Sequence, residues 1–421
     1  MIDIKLIREN PELIKANCEN RGYEKKLVDE ILIKDKKWRE MKFQDDKLRH
    51  ERNKVSLEIN ELKKKGKKVN DLIKKAREIA ENLKDNEERE KELRKEIDAV
   101  SSALPNIQAK DVPVGGELKN KEISRWGKIK KISKPKSHIE LGENLDIIDI
   151  KRASKISGAG FYILKGEGAR LQRALIQFML DFHIGNGFTE INPPQLVNRK
   201  TAFGTGNLPK FEDQLYKTND ELLLVPTAEV PVTNIFSDEI LLEKELPKKF
   251  CAFTECYRTE AGRHTGEEGL FRLHQFEKVE MVYICKEEDS WKFLEEMTKN
   301  AENILKKLNL PYRKILLATA DAGFASAKTY DLEVWSPSMN KYLETSSCSN
   351  CTDFQARRMN TRYQSKGELK FVHTLNGSGL ALPRLMIALM ENNQQKDGSI
   401  KIPAAIQKYV GGKKIIGIKK K

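Results

Sequence analysis

The densest chemistry in the sequence lies in residues 251–281, where two strand-like runs flank a loop rich in glycine and charge (CAFTECYRTEAGRHTGEEGLFRLHQFEKVEM). On the second run, Arg272, Phe276 and Glu280 are each four residues apart, so a strand would project all three from one face. A row of this kind is not typical of a hydrophobic core, because buried charged side chains need partners. Arginine suits a phosphate, phenylalanine can stack on a base, and glutamate can hold an amine or a metal. The spacing therefore predicts a binding site on one face of a sheet.

A hairpin would add a second arginine to this row. Arg258 ends the first run, and it would lie beside the row if the two runs pair with each other. His274 and Lys278 share the parity of the row, which predicts that they lie on the same face. Taken alone, Phe276 is more typical of a hydrophobic core, so the site prediction depends on the whole pattern.

Three further segments combine hydroxyl groups with charge: Thr227-Ala228-Glu229, Glu344-Thr345-Ser346-Ser347 and residues 376–384. Each has an ordinary structural alternative. Thr227 is a candidate helix N-cap, because Thr-Ala-Glu-Val is typical of a helix start. Ser347 and Ser378 are, taken singly, typical of turns. These alternatives stay open on the residues alone.

Alternating helices and strands from about residue 168 are expected to position these groups. Residues 169–183 indicate a helix that ends at Gly185 and Gly187, with an apolar side formed by Leu171, Leu175, Phe178, Met179 and Phe182. Strand-like runs follow at 188–192, 250–258, 271–285, 312–318, 342–347 and 370–375. A helix from about Pro383 to Asn392 closes the predicted core.

The N-terminal part shows a different period. Mainly apolar residues, with a few polar ones among them, recur at alternating spacings of four and three, which predicts helices in a left-handed supercoil. We define the seam as Leu27, Ile31, Lys34, Trp38, Met41, Asp45, Leu48, Arg52, Val55, Ile59 and Leu62, followed by Leu72, Ala76, Ile79, Leu83, Asn86, Glu90, Leu93, Ile97 and Val100. Gly66 lies between the two runs, where the chain must reverse. The first run would be about 54 Å long, so the pattern predicts an antiparallel two-helix arm.

The tip of this arm is strongly basic. Residues 62–77 contain Asp71 as their one acid against eight basic residues: Lys63, Lys64, Lys65, Lys67, Lys68, Lys74, Lys75 and Arg77. Phosphate contacts draw on this kind of sequence-independent charge, and the whole chain carries a formal net charge of +14. This excess of positive charge predicts that the tip contacts nucleic acid. The alternative is a solvated turn.

Length and composition limit the number of domains and the class of protein. The 421 residues are enough for two or three domains. No run of 18 apolar residues exists to span a membrane, and the first residues lack the apolar region of a secretory signal. Six cysteines are too few for a disulfide scaffold and fit a reducing cytosol. Prolines and glycines at 105–135 indicate a linker with short strands, and the lysines at 419–421 are expected to be solvated.

Several of these segments together resemble one enzyme family. RTEAG at 258–262, a loop and FRLHQFEKVE at 271–280 resemble motif 2 of the class II aminoacyl-tRNA synthetases, in the form of the seryl-tRNA synthetases. GFTEINPP at 187–194 resembles motif 1, the dimer-forming element, and NGSGLALPR at 376–384 resembles motif 3. TAE at 227–229 and ETSS at 344–347, followed by CSNCTDFQARR, are similar to segments of the seryl enzymes specifically. The helical arm resembles the family's tRNA-binding domain, so the resemblance covers essentially the whole chain.

The resemblance implies an α+β fold, in which an antiparallel two-helix coiled-coil arm precedes a class II catalytic domain built on an antiparallel sheet flanked by helices. The domain boundaries expected from it are a tRNA-binding domain at 1–104 with its hairpin at about 27–100, a linker and the start of the catalytic domain at 105–167, and a catalytic core at 168–421. Motifs 1, 2 and 3 are expected at about 169–194, 250–285 and 374–392. Pro383 departs from the family, which more often has glycine there. Because proline fits the first turn of a helix, we expect a helix start there and an intact Arg384.

The resemblance implies a serine–tRNA ligase, which would form seryl-adenylate from L-serine and ATP and transfer the seryl group to the 3′-terminal ribose of tRNA(Ser). It leaves tRNA(Sec) open as a second substrate. Arg258, which would contact the α-phosphate and the serine carboxylate, and Arg384 are the implied catalytic residues, and Phe276 and Arg384 would sandwich the adenine. The implied ATP site is Arg258, Thr259, Glu260, Arg272, Phe276, Glu344, Thr345, Ser346, Ser347 and Arg384. The implied serine site is Thr227, Ala228, Glu229, Arg258, Glu280 and Ser378.

The family also implies partners and cofactors. Glu344 and Ser347 would hold Mg²⁺, which prefers oxygen ligands, and the tip lysines Lys63, Lys64, Lys65, Lys67 and Lys68 are candidates for tRNA contacts. A homodimer in the cytoplasm, without membrane attachment, is expected. Cys348 and Cys351 with Cys251 and Cys256 could form a zinc site, but seryl enzymes of the ordinary type commonly carry such a CSNC run without zinc, so no zinc is expected.

Two other functions compete with this prediction. A relative that activates an amino acid for a carrier protein would lack the long arm, so the arm weighs against it. A non-catalytic tRNA-binding paralogue should have lost some of the implied site residues. Every one of them is present in this sequence: Arg258, Arg272, Glu280, Glu344 and Arg384.

Overall fold

The computed structural model describes residues 1–260 and 269–417. Residues 261–268, which include the last two residues of the RTEAG segment, and the lysines at 419–421 lie outside the described part. The chain divides into two compact units, Ile2–Pro105 and Asn106–Lys421, and Met1 belongs to the second. Across the described ranges, no helix is both long and apolar enough to cross a membrane.

The first unit is built from the helices α1 (Ile4–Glu9), α2 (Pro11–Asn20), α3 (Lys26–Lys64) and α4 (Asn70–Ser102). α3 and α4 run antiparallel, because ion pairs join Lys34 to Glu96 near one end and Lys75 to Glu51 near the other. Every seam position is buried or half-buried except Arg52, which is exposed. Gly66 has a φ of +67° in the turn between the helices, a conformation that glycine adopts without strain. The predicted arm is confirmed.

The second unit is built on one large mixed sheet. The strands of the unit are β1 (Lys121–Trp126), β2 (Thr189–Ile191), β3 (Leu196–Val197), β4 (Leu223–Leu224), β5 (Ile240–Leu242), β6 (Lys248–Tyr257), β7 (Gln275–Cys285), β8 (Tyr312–Leu316), β9 (Lys328–Ser336), β10 (Lys341–Asn350), β11 (Arg362–Ser365), β12 (Glu368–Phe371), β13 (His373–Ala381), β14 (Ile400–Lys401) and β15 (Ile415–Ile416). Eight of them form the sheet in the order β1-β8-β9-β10-β13-β7-β6-β2. All neighbours are antiparallel except β2 and β6.

Helices cover one face of this sheet. The helices of the unit are α5 (His138–Asn144), α6 (Ile150–Ser157), α7 (Glu167–Gly185), α8 (Arg199–Thr205), α9 (Glu229–Thr233), α10 (Ser290–Lys307), α11 (Phe354–Met359), α12 (Leu382–Asn392) and α13 (Ala404–Gln407). Apolar side chains of α7, α10 and α12 form one buried cluster with Val279, Met281, Tyr283 and Cys285 of β7. Because side chains alternate along a strand, Phe276, Lys278 and Glu280 lie on the opposite face.

Several sequence predictions differ from the structure at their boundaries. The run predicted at 370–375 is two strands, because β12 ends at Phe371 and β13 begins at His373. The linker at 105–135 was predicted to contain short strands, which agrees with β1, and this strand lies at an edge of the sheet. The helices α5 and α6 were not predicted, and neither was β9, although buried Tyr330, Leu332 and Val334 alternate along it. The helix predicted from Pro383 is confirmed, since α12 begins at Leu382 with the proline in its first turn.

Candidate active site

The β6–β7 hairpin places Arg258 and Phe276 against each other. Arg258 follows the last residue of β6, and its backbone N–H donates to the carbonyl of His274 at 2.9 Å, which extends the pairing of the two strands. The guanidinium carbon lies 5.0 Å from the centre of the Phe276 ring, within the range of a cation–π contact. This contact fixes the arginine at the mouth of the hairpin.

A cavity of about 240 Å³ opens beside this pair. We call it the site cavity. Of the residues predicted for ATP and serine, it is lined by Arg258, Glu260, Arg272, Phe276, Glu344, Thr345, Ser378 and Arg384. Lys278 and Pro383 also line it and were not assigned roles. Side chains from β7, β10, β13 and α12 thus meet in one space, although these elements are far apart in sequence.

Arg272 and His274 are not placed by the strand alternation that the sequence suggested. β7 begins at Gln275, so both residues precede the strand. Arg272 still reaches the site cavity, where its Nη1 lies 3.6 Å from Oε2 of Glu260. His274 instead stacks on Phe161 with 5.3 Å between ring centres. The prediction that His274 shares the face of the row is therefore wrong.

Arg384 lies on the other side of the site cavity. Its Nη1 donates to both the backbone oxygen and Oε2 of Glu344, each at 3.0 Å. The start of α12 therefore holds the guanidinium against β10. Pro383 lines the same cavity, and its place in the first turn leaves Arg384 directed at Glu344.

A β-bulge in β10 puts Glu344 and Ser347 on one face. These residues are three apart, so an unbroken strand would place them on opposite faces. The register with β9 shifts between Glu344 and Ser346, so that Glu344 pairs with Glu333 and Ser347 pairs with Asp331. Such a bulge adds one residue to its strand, and the two oxygen-bearing side chains therefore share the face of Asp331.

The middle residues of the ETSS segment have structural contacts. The Thr345 hydroxyl donates to the Leu332 carbonyl at 3.0 Å, and the Ser346 hydroxyl donates to the Ser378 carbonyl at 2.6 Å. Both side chains are buried. These bonds tie β10 to β9 and β13. The Thr345 and Ser346 hydroxyls are thus engaged in structural contacts, although Thr345 also lines the site cavity.

Two carboxylates lie beside this cavity on β7 and α9. Glu280 Oε2 accepts from the Thr227 hydroxyl at 2.9 Å. Glu229 accepts from Gln355 at 2.8 Å and from Asn376 at 3.1 Å. Burial raises the pKa of the Glu229 carboxyl to about 7, and repulsion by Glu280 adds to the shift. The pair provides negative charge where a cationic ligand group could bind.

The remaining predicted residues lie outside the site cavity or turn away from it. The Thr259 hydroxyl donates to the backbone oxygen of Asp213 at 2.7 Å. The Ala228 side chain is buried in an apolar cluster with Val232 and Ala252. The tip residues Lys63, Lys64, Lys65, Lys67 and Lys68 belong to the other compact unit, and all five are exposed.

Comparison with known proteins identifies the family. Residues 1–108 match the seryl-tRNA synthetase N-terminal domain, and residues 210–393 match the tRNA synthetase class II core domain (G, H, P, S and T). A serine–tRNA ligase of Staphylococcus haemolyticus is 49% identical over 422 residues, which cover 98% of each chain. The chain belongs to the seryl-tRNA synthetase family. A serine–tRNA ligase of Thermosipho melanesiensis is likewise 49% identical, over 99% of this chain and 100% of its own.

Solved seryl-tRNA synthetase structures share the whole architecture. The enzyme of Pyrococcus horikoshii, determined in complex with ATP, superposes with a TM-score of 0.95 at 41% identity and covers 100% of both chains. The cytoplasmic enzyme of Naegleria fowleri, in complex with AMP, gives a TM-score of 0.91 at 29% identity, over 100% of this chain and 99% of its own. The predicted α+β fold with its helical arm is therefore confirmed as that of a seryl-tRNA synthetase.

Sequence reasoning missed several residues of this seryl-tRNA synthetase site. Lys278 lines the site cavity, and Gln355 and Asn376 hold Glu229. Alternation already placed Lys278 on the site face, whereas Gln355 reaches Glu229 only through the fold. The six cysteines are all buried and unbridged, and the described residues contain no group of three or more His, Cys, Asp or Glu that could hold a metal ion.

Proposed function

We propose that the protein is an ATP-dependent serine–tRNA ligase acting on L-serine and tRNA(Ser). The observation that carries this proposal is the composition of the site cavity. It combines Arg258 stacked on Phe276, Arg384 paired with Glu344, and the neighbouring carboxylate Glu280. A nucleotide needs cations for its phosphates and a flat partner for its base, whereas an amino acid needs an acceptor for its ammonium group.

The first step joins serine to the α-phosphate of ATP. A serine carboxylate oxygen attacks the α-phosphorus, a new P–O bond forms, and the bond to the β-phosphate bridge breaks to release pyrophosphate. Negative charge grows on the phosphoryl oxygens during this step, so a fixed cation nearby lowers the barrier. Arg258 fits that role because the Phe276 ring already holds its guanidinium in place. Arg384 lies across the cavity, where it would bind the adenine together with Phe276.

The second step transfers the seryl group to tRNA. A hydroxyl of the 3′-terminal ribose attacks the seryl carbonyl carbon and loses its proton as the ester bond forms. The acyl–phosphate bond breaks, and AMP leaves with the electrons of that bond. The site holds serine during both steps by Thr227, Glu229, Glu280 and Ser378. Site groups built to bond a hydroxyl discriminate strongly against a ligand that lacks one, which favours serine over alanine.

Mg²⁺ fits the oxygen groups on the bulged face of β10. Glu344 and Ser347 supply a carboxylate and a hydroxyl, which magnesium prefers. Asp331, on the same face, has a buried Oδ1 without a hydrogen-bond partner among the described residues, so acceptor capacity remains there. We propose that Glu344 and Ser347 hold the ion. When bound, it would neutralise phosphate charge and orient the phosphates, while Arg384 keeps its contact with Glu344.

The helical arm is proposed to bind tRNA through its basic tip. Five lysines of the tip are exposed: Lys63, Lys64, Lys65, Lys67 and Lys68. Among the described residues, none of the five forms an ion pair with an acidic side chain. A tRNA phosphate backbone suits such a surface because contacts with it release condensed counterions.

We propose that the chain is divided into a tRNA-binding domain at 1–104, a linker and the start of the catalytic domain at 105–167, and the catalytic core at 168–421.

A homodimer in the cytoplasm completes the proposal. Support comes from the resemblance to motif 1 and from β2, which lies at one edge of the main sheet with Thr189 and Glu190 exposed. An open strand edge can pair with a second copy. Light scattering of the purified protein should give twice the chain mass of 48.3 kDa.

ATP–pyrophosphate exchange across the amino acids tests the proposed function. Serine should support rapid exchange, whereas threonine and alanine should not. A charging assay should then show seryl transfer to tRNA(Ser), with tRNA(Sec) as the second acceptor to assay. Deleting residues 27–100 should spare exchange and abolish charging. Exchange with no amino acid would leave the tRNA-binding paralogue as the better explanation.

A further inference from the structure

Lys278 is a buried cation with no role in the steps above. It lies on the site face of β7 between Phe276 and Glu280, and its side chain is only 9% exposed. Its ammonium group forms an ion pair with Oε2 of Glu280, whose side chain is 1% exposed. Removing an ammonium group from water is costly unless a charged partner compensates. The two side chains therefore form a unit within the site.

The carboxylate of Glu280 has two unlike oxygens. Oε2 accepts from the Thr227 hydroxyl and also pairs with Lys278. Oε1 is buried and has no hydrogen-bond partner among the residues that the structure describes. An acceptor left without a donor in the interior is unfavourable. Oε1 is therefore the oxygen of Glu280 with unused acceptor capacity, and Ser378, which lines the site cavity, is the register partner of Glu280 across β7 and β13.

Glu280 is the ion-pair partner of Lys278, and the buried Glu229 lies within electrostatic reach of the same ammonium group. The register neighbours of Lys278 are Thr254 on β6 and Ala381 on β13, and neither carries a charge. Two arginines in the same cavity, Arg258 and Arg272, supply positive charge for phosphates, and Arg384 is proposed to bind the adenine. A lysine that is already committed to a carboxylate adds little to phosphate binding, but it does fix the orientation of that carboxylate.

We propose that Lys278 is a positioning residue for serine, which holds Glu280 so that Oε1 faces the amino acid. The proposal rests on the function proposed above and deepens it. Lys278 acts through Glu280 and does not itself contact the amino acid or the nucleotide. Its removal should therefore weaken serine binding and leave ATP binding intact.

The test is ATP–pyrophosphate exchange with Lys278→Met, with serine and ATP varied separately. Methionine keeps most of the length of the side chain and removes its charge. The KM for serine should rise by about tenfold to a hundredfold, because the carboxylate is no longer held by a charge-assisted hydrogen bond. The KM for ATP should stay within about twofold of the wild-type value. Lys278→Arg, which keeps the charge, should restore most of the affinity for serine.

Lys249→Met is the matched control. Lys249 lies on the adjacent strand β6 and pairs with Glu296 at 2.7 Å, outside the site cavity. This variant removes a lysine of the same hairpin that is also paired with a glutamate, so both KM values should remain at the wild-type level.

The outcomes separate this proposal from the proposed function. Wild-type protein without serine-dependent exchange would overturn the function. If wild-type exchange is normal, an unchanged serine KM in Lys278→Met, or an equal rise in the KM for ATP, would overturn the role of Lys278 alone. Should Lys278→Met fail to fold, Lys278→Gln decides in the same assay, because it keeps a donor and lacks the charge. A raised serine KM supports the proposal, and an unchanged one overturns it.

Discussion

Asn86 donates a hydrogen bond to Asp45 across the seam of the helical arm, with 2.7 Å between Nδ2 and Oδ1. Both residues occupy positions that a coiled coil normally fills with apolar side chains. The other carboxylate oxygen, Oδ2, is buried without a hydrogen-bond partner in the described chain. Asp45 is thus a buried acid whose side chain depends on Asn86, and the pair joins α3 and α4 in a single register.

Replacing Asn86 by Ala should destabilise the arm by about 1–3 kcal/mol, because it removes a donor from a buried carboxylate. Hydrogen–deuterium exchange of α3 and α4 in the full chain measures this effect locally. Asn82→Ala is the control, since Asn82 lies one turn away on the exposed side of α4. Equal protection in both variants would show that the polar pair has no stabilising role.

Arg384→Ala should lower kcat/KM for ATP by about tenfold or more, because it removes the guanidinium that is proposed to stack on the adenine opposite Phe276. Pyrophosphate exchange at saturating serine measures the effect. Arg357→Ala is the matched control, because that guanidinium also pairs with a carboxylate and an aromatic ring, Asp353 at 2.7 Å and Phe371 at 4.6 Å. A comparable decrease in both variants would contradict a special role for Arg384.

Serine binding should depend on pH through Glu229, whose pKa burial raises to about 7. Below that pH the carboxyl is neutral and loses its attraction for the serine ammonium group, whereas above it the carboxylate is ionised. The kcat/KM for serine should therefore rise between about pH 6 and 8, by up to about tenfold per unit on the acid side. A pH series of the exchange assay measures this.

Two variants identify the group responsible. Glu229→Gln should weaken serine binding and remove this acid limb. Glu277→Gln should retain the limb, although burial raises the pKa of Glu277 to about 7 as well, because Glu277 bonds Tyr162 on the helix-covered face of β7. An acid limb that survives in Glu229→Gln would assign the titration to another group.

Magnesium dependence should report on Glu344. Glu344→Gln keeps an oxygen for Arg384 and removes the charge, so the Mg²⁺ concentration for half-maximal exchange should rise about tenfold or more. Ser347→Ala should act in the same direction. Ser349→Ala is the control, because this hydroxyl lies two residues further along the same face and bonds Thr329 at 2.8 Å. A Mg²⁺ requirement that is unchanged in both site variants would exclude this placement.

Replacing all five tip lysines, Lys63, Lys64, Lys65, Lys67 and Lys68, by Ala should weaken tRNA binding. The slope of log Kd against log salt should fall by up to about 0.9 for each phosphate that the arm no longer neutralises. Filter binding at several salt concentrations measures both quantities. The same five positions changed to Arg keep the charge and should retain binding, and serine activation should be normal in both. An unchanged slope in the alanine variant would move the tRNA interface elsewhere.

The spacing of residues along the sequence predicts the helical arm and much of the site. The parts that it does not predict depend on how distant elements pack together. The seam residues are three or four apart, so their periodicity alone indicates two helices. Phe276, Lys278 and Glu280 are consecutive on one strand face, so alternation sufficed there as well. Gln355 and Glu229, by contrast, lie on different elements, and only their packing brings them within hydrogen-bonding distance. His274 was misplaced because the strand starts one residue after it, which local sequence does not encode sharply.

The bulge in β10 reverses the inward and outward alternation of side chains along this strand. Leu343 before the bulge and Cys348 after it both point into the core, although they are an odd number of residues apart. An alignment with a sequence that lacks this extra residue needs a one-residue gap at Thr345, because without the gap core positions would be paired with site-facing ones from there onward. Deleting Thr345 by protein engineering would make β10 regular and leave Glu344 and Ser347 two residues apart. Both side chains would then keep the site face, and Cys348 would stay in the core.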